Sequence, residues 1–214
     1  MEKFFAIVGK IMLLLLIVGA VAIGGFYIGK RGKEPATAPN KSLQNNIDTS
    51  NSYSPTSTPK PTRLISGGVS KEGGLAFDQF SLEVPVDWSI ERKTPAPASE
   101  ELAIIKGAYE LKIFQAATGG ALCLYPGDPD FEGPSSRYSL FAELTTQDAR
   151  ILRRSGSDAV GNTGKVGYTI CQRNTEGSFN QPTSYGHISF SLPKNYDKEI
   201  LGEMDAMIIS LKKQ

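Results

Sequence analysis

The stretch "FSLEVPVDWSI", from Phe80 to Ile90, places an apolar residue at every even position: Phe80, Leu82, Val84, Val86, Trp88 and Ile90. Ser81, Glu83, Pro85, Asp87 and Ser89 fill the odd positions. Successive side chains of a strand point to opposite faces, so period two over this length predicts an extended strand with one face buried. Pro85 has no N–H to donate to a ladder and belongs at an edge, a bulge or a strand end. The expected picture is a strand from Phe77 to Val84, a bend at Pro85, and Trp88 folded back as an anchor of the same core.

Further extended segments follow. "ELAIIKGAYELKIFQAA" predicts a hairpin, with Leu102 to Lys106 and Tyr109 to Ala116 on either side of a turn at Gly107. "ALCLY" reads as a short strand ending at Pro126-Gly127, and "ARILRRSG" as another. "RYSLFAELTT" fits either strand or helix. "GKVGYTICQRN" and "SYGHISFSL" alternate, the second with His187, Ser189 and Ser191 opposite Ile188, Phe190 and Leu192. After Pro193 the period changes. In "KNYDKEILGEMDAMIISLKKQ", Ile200, Leu201, Met204, Met207, Ile208 and Leu211 recur at three- and four-residue steps and form one apolar stripe. Asn195 or Asp197 can cap the start, and Lys212 with Lys213 suits the negative end of the helix dipole. A terminal amphipathic helix has to lie on something, and the sheet is the surface on offer. The expected fold class is α+β: an antiparallel sheet with a C-terminal helix packed on it.

"FDQFSLEVPVDW", the hairpins after it and a closing helix ending "MIISLKK" resemble the PsbP-like fold over residues 77–214. In that family an early strand runs into a Pro-x-x-Trp turn and a last helix packs across an antiparallel sheet. The resemblance implies an accessory or binding module without catalytic activity.

Composition changes the picture at the other end of the chain. Residues 11–29, between Lys10 and Lys30, carry no charge. At helical rise they span roughly 28 Å, close to the hydrocarbon thickness of a bilayer. The segment has no polar face, so it is expected to be a transmembrane helix behind a short flank of residues 1–10. A cleaved signal peptide is the alternative, with Ala20-Val21-Ala22 as its cleavage site. The apolar run continues through "IGGFYI" beyond that site, which favours an uncleaved anchor. Residues 30–74 read as a flexible linker: from Glu34 on they are rich in Pro, Ser, Thr, Asn and Gly and too poor in large apolar groups to offset the entropy of ordering. Residues 75–214 form the folded domain. A long domain translocates largely regardless of flanking charge. The chain therefore reads as a single-pass cell membrane protein, in contact with the bilayer through residues 11–29 and with its C-terminal domain extracytoplasmic. That domain holds 14 Lys and Arg against 18 Asp and Glu, so the basic excess belongs to the anchor flank and linker. A mildly acidic domain argues against nucleic acid, whose phosphates need clustered Lys and Arg. An unknown protein or an envelope polymer is the expected partner. Oligomeric state is not readable from the chain.

Candidate chemistry is sparse. Cys123 and Cys171 are the only cysteines, each in an apolar strand-like context, and outside a membrane such a pair suggests a disulfide; two unpaired buried thiols are the alternative. "DPDFEG" sets Asp128, Asp130 and Glu132 at alternate positions before a glycine, as calcium loops begin. Ser139 stands where an EF-hand loop needs its bidentate Glu, and Pro126, Pro129 and Pro134 crowd the segment, so an acidic surface turn competes with a calcium site. No other cofactor is expected. Arg150, Arg153 and Arg154 could together meet an anionic partner. His187 is the one histidine and the only candidate general base. No G-x-S-x-G accompanies it, so no catalytic residues are assigned. "GNTGKVG", residues 161–167, superficially suggests a phosphate loop but lacks G-x-x-x-x-G-K-[ST] and leads into a strand, which makes it a hairpin turn. The expected function is an anchored extracytoplasmic accessory or binding domain without catalytic activity. Its interaction surface would be loops and the uncovered sheet face. The alternatives are an envelope-polymer hydrolase using His187 and a calcium-stabilised structural module.

Overall fold

Thirteen strands and one helix succeed one another along residues 60–69, 76–157 and 164–214, the residues that the computed structural model describes. The strands are β1 (Thr62–Gly67), β2 (Phe80–Pro85), β3 (Ser89–Lys93), β4 (Glu100–Lys106), β5 (Tyr109–Gln115), β6 (Ala121–Leu124) and β7 (Ser135–Arg137). They continue with β8 (Leu140–Thr145), β9 (Ile151–Gly156), β10 (Lys165–Arg173), β11 (Phe179–Gln181) and β12 (His187–Pro193). The helix α1 (Lys198–Ile209) and the short β13 (Lys212–Lys213) close the chain. One sheet is ten-stranded in the order β3-β4-β5-β12-β10-β11-β6-β7, with β9 and then β8 on the remaining side of β10. A three-stranded sheet, β1-β2-β13, forms beside it. All pairings are antiparallel except β6 with β7.

Register explains the core. Ile170, Ile188, Ile113 and Leu102 stand opposite one another across β10, β12, β5 and β4. Tyr168, Phe190, Leu111 and Ile104 do the same one pleat further along. Directly paired residues share a face, so these rungs make one continuous apolar surface. Phe80, Leu82 and Val84 of β2, together with Leu201, Met204, Met207 and Ile208 of α1, are buried in the same cluster. Asp197 caps α1, its side chain accepting from the Glu199 N–H at 2.7 Å.

Pro85 ends β2, and its carbonyl accepts from the Trp88 N–H at 3.1 Å, which closes a tight turn through Val86 and Asp87. The turn throws Trp88 into the core at 1% exposure while Val86, of the same parity, is left 53% exposed. Beneath α1 the Trp88 Nε1–H donates to Glu203 Oε2 at 2.7 Å, and Lys106 Nζ reaches the same oxygen at 2.9 Å. Lys60 pairs with the other Glu203 oxygen. Burial would push the Glu203 carboxyl up, but the bonds from Lys60, Trp88 and Lys106 hold it below its ordinary value. One carboxylate thus ties the helix to the β2–β3 corner and to the end of β4.

Several expectations need correction. Over the described residues the fold is not the expected α+β arrangement but mostly β, 51% strand and 8% helix, with one short C-terminal helix and sheets of antiparallel and mixed pairing. Thr62–Gly67, within the span read as a flexible linker, is a strand that pairs with β2 along its whole length. Most of its side chains are exposed, so backbone hydrogen bonds hold it and no hydrophobic period marks it. "RYSLFAELTT" divides into β7 and β8. β11 has three residues and β13 two, too few to display a period. Lys212 and Lys213 do not complement a helix dipole but extend the small sheet against Ser81 and Phe80. No helix among the described residues is long and apolar enough to cross a membrane. Residues 11–29, with the bilayer contact assigned to them, lie outside the described residues. The reading as a single-pass membrane protein with an extracytoplasmic domain is therefore not supported and is not carried further.

Truncating Trp88 tests the corner. Trp88→Ala is expected to cost about 3–5 kcal/mol in urea unfolding, whereas Val86→Ala, one turn residue away, should stay within about 0.5 kcal/mol of the parent.

Candidate functional site

The ten-stranded sheet has a second face. Cys171 stands opposite Arg153, which stands opposite Glu143. Cys123 stands opposite Phe179, which stands opposite Arg173. Arg173 follows Cys171 by two along β10, so all six side chains lie on the face turned away from α1. Phe141 and Ser155, paired with each other and two positions from Glu143 and Arg153, belong there too. Tyr125, two beyond Cys123, joins them by bonding Ser155 Oγ through its hydroxyl at 2.7 Å.

Cys123 and Cys171 form a disulfide with their Cα atoms 6.4 Å apart. β11 lies between β6 and β10, and strands two places apart in a flat sheet are separated by about 9–10 Å. The sheet is therefore folded sharply about β11, and the fold draws β6 and its following loop over β9 and β10. The chain turns just beyond this point at Gly186, whose φ is +107° and where a Cβ would come within 2.5 Å of the Phe114 carbonyl oxygen. Only glycine meets both demands.

The curled face encloses a cleft of about 770 Å³. Tyr125, Cys171, Cys123 and Phe179 form a small apolar cluster behind it, with Tyr138 and Ile151 packed alongside. Arg153 lies over three rings, its guanidinium carbon 4.0 Å from the Phe179 centroid, 4.3 Å from Phe141 and 4.6 Å from Tyr125. Stacking of this kind is favoured by the delocalised, weakly hydrated guanidinium. Its Nε donates to Glu143 Oε2 at 3.4 Å. Burial raises the Tyr125 hydroxyl to about 12, against the lowering pull of Ser155 and Arg153, so the ring system stays neutral at physiological pH. Arg173 and Phe131 line the open side, Phe131 at 52% exposure. The Phe131 ring rests on Gly133, where a Cβ would approach it to 2.6 Å.

The residues singled out in the sequence are placed as follows. The disulfide is formed. Asp128 and Asp130 line the cleft but do different work. Asp128 Oδ2 accepts from the Tyr125 N–H at 2.7 Å and shapes the loop, and Asp130 pairs with Arg137 at 2.7 Å. Glu132 is exposed. Among the described residues no three His, Cys, Asp or Glu side chains gather to hold a metal, so the structure brings no ligand set to the calcium expectation. The three arginines separate. Arg150 binds Asp148 at 3.0 Å and Asp78 at 2.8 Å, and Arg154 lies half-buried on the opposite face against the buried Asp205 at 2.8 Å. Only Arg153 reaches the cleft. His187 does not line it. It shares the outer face further along β12, with Nε2 2.7 Å from Thr118 Oγ1, and burial lowers its pKa. The "GNTGKVG" turn begins outside the described residues, but β9 and β10 on either side of it pair antiparallel, as a hairpin requires.

Sequence reasoning did not single out Arg173, Phe131, Phe141, Phe179 or Tyr125. Arg173 carried one usable signal: it follows Cys171 by two on an alternating strand and so shares the cysteine's face. No family model matches the chain, and neither a curated protein nor a solved structure does so.

The bridge closes a loop of sequence separation 48. Replacing Cys123 and Cys171 together by Ala is expected to remove about 4 kcal/mol of stability in the chain-entropy description. The measure is the denaturant midpoint of the double variant beside that of the parent with and without reductant; the reduced parent should move toward the variant.

Proposed function

We propose that this chain acts as an accessory or binding domain without catalytic activity, and that it takes its ligand in the cleft on the outer face of the large sheet. The observation that carries this reading is the content of the cleft. It gathers one exposed ring (Phe131) and two guanidinium groups (Arg153, Arg173) over a disulfide-braced floor in which Tyr125 and Phe179 are buried. Ligand sites are concave, largely apolar and equipped with a few placed polar groups, and this one has that character. The one histidine of the chain bonds Thr118 away from it.

A neutral aromatic probe tests the cleft as a site. Saturation-transfer NMR of the full chain with phenol should report binding that Phe131→Ala weakens several-fold and His187→Ala leaves unchanged. Phenol binding indifferent to Phe131→Ala would contradict the reading.

A further inference from the structure

Arg153 and Arg173 are diagonal neighbours on one face of an antiparallel pair. Cys171 stands opposite Arg153, and Arg173 lies two residues further along β10. That geometry sets their backbones roughly 7–8 Å apart. Among the described residues Arg153 donates one hydrogen bond, from Nε to Glu143, and its two terminal nitrogens donate none. The Arg173 side chain has no hydrogen bond and no carboxylate partner among the described residues. Both line the cleft. Two cations with unfilled donors are thus turned into the same cavity. The contrast with Arg150 and Arg154, each met by a carboxylate within 3.0 Å, shows what this protein does with arginines whose work is structural.

We propose that Arg153 and Arg173 form a seat for a ligand carrying a single carboxylate on a six-membered ring, a deepening that rests on the cleft being the ligand site. Planar guanidinium edges match a carboxylate in a two-bond fork. The three rings pack around the Arg153 guanidinium, and its terminal nitrogens donate no hydrogen bond among the described residues. Phe131 lines the same cleft and offers an exposed wall for the ring that bears the carboxylate. Charge around the rim sets the limit. Asp128, Asp130, Glu143 and Glu176 also line the cleft, Asp130 paired with Arg137 and Glu143 with Arg153, and their like charge repels a ligand with several anionic groups. One oxyanion on a ring satisfies both the seat and the rim; a polyanion satisfies only the seat.

The test is a calorimetric and saturation-transfer titration of the full chain with phenylacetate, with its neutral isostere phenylacetamide, and with D-glucuronate. Phenylacetate should bind about tenfold or more tightly than phenylacetamide, as charge-assisted hydrogen bonds require. Arg173→Gln should erase that preference without moving the melting temperature, since Arg173 is exposed and has no partner to lose. Lys112→Gln, on the same face but outside the cleft, should leave the preference intact. Glucuronate binding as tightly as phenylacetate would identify a saccharide as the carrier of the carboxylate, and weaker binding an aromatic carrier; either supports the seat. Equal binding of phenylacetate and phenylacetamide, or a preference untouched by Arg173→Gln, would overturn the proposal while phenol binding kept the cleft as a site. Loss of phenol binding together with both probes would overturn the cleft as well.

Discussion

Cys123 and Cys171 are held 6.4 Å apart across a strand that would keep them well beyond that distance in a flat sheet. Everything on the outer face follows from this constraint. The bond pulls β6 and the loop after it over β9 and β10, so that a surface which would otherwise be open becomes concave. It also brings Tyr125 within reach of Ser155 and sets Phe179 beneath Arg153. The Tyr125 ring then meets Phe141 edge-on at 4.9 Å and Phe179 at 5.7 Å, arrangements that aromatic quadrupoles favour. The disulfide is therefore both a staple against the entropy of the unfolded chain and the floor of the cleft.

The two faces of the large sheet handle charge differently. Under α1 the charged groups are matched: Arg154 meets Asp205, and Glu203 collects the Trp88 indole, Lys106 and Lys60. A buried charge without such partners would be costly, so the pairing is what permits it. Even so, burial pushes the Asp205 carboxyl up, with Arg154 pulling the other way. On the outer face Arg153 is held by rings as well as by Glu143 at 3.4 Å, and the Arg173 side chain is exposed. Away from the cleft the same face carries Lys112 between Glu101 at 3.6 Å and Glu110 at 3.7 Å, an exposed ladder of little energetic weight.

Much of the large sheet was legible because its rungs alternate over five residues or more: the Gly107 hairpin, β10 and β12 lie close to where their patterns put them. The change of period after Pro193 located α1, and of the two caps it offered, Asn195 and Asp197, the second is the one used. Trp88 reached the core as its parity demanded, whereas Val86, of the same parity, did not, because the turn that Pro85 opens breaks the alternation at that point. β1 escaped notice because its side chains are mostly exposed and only its backbone is committed; β11 and β13 are shorter than any period. Those omissions are why a mostly β fold was read as α+β. The cysteine pair could be inferred from context, but the cleft could not. Its residues come from β6, its loop, β8, β9, β10 and β11, and only the register between strands brings them onto one face. The arginine cluster misled for the same reason: neighbours in sequence, Arg153 and Arg154, point to opposite sides of a strand.

The most direct measurement is the proton NMR spectrum of the Arg153 side chain in the oxidised protein. A guanidinium stacked among Phe179, Phe141 and Tyr125 feels their ring currents. Its δ-methylene and Nε protons should be displaced upfield, with cross-relaxation to the Phe179 and Phe141 rings. Reduction of the Cys123–Cys171 bond should release both signals toward values of an unstructured arginine. An Arg153 resonating as a free side chain while the disulfide is intact would contradict the curled, ring-lined face on which the account stands.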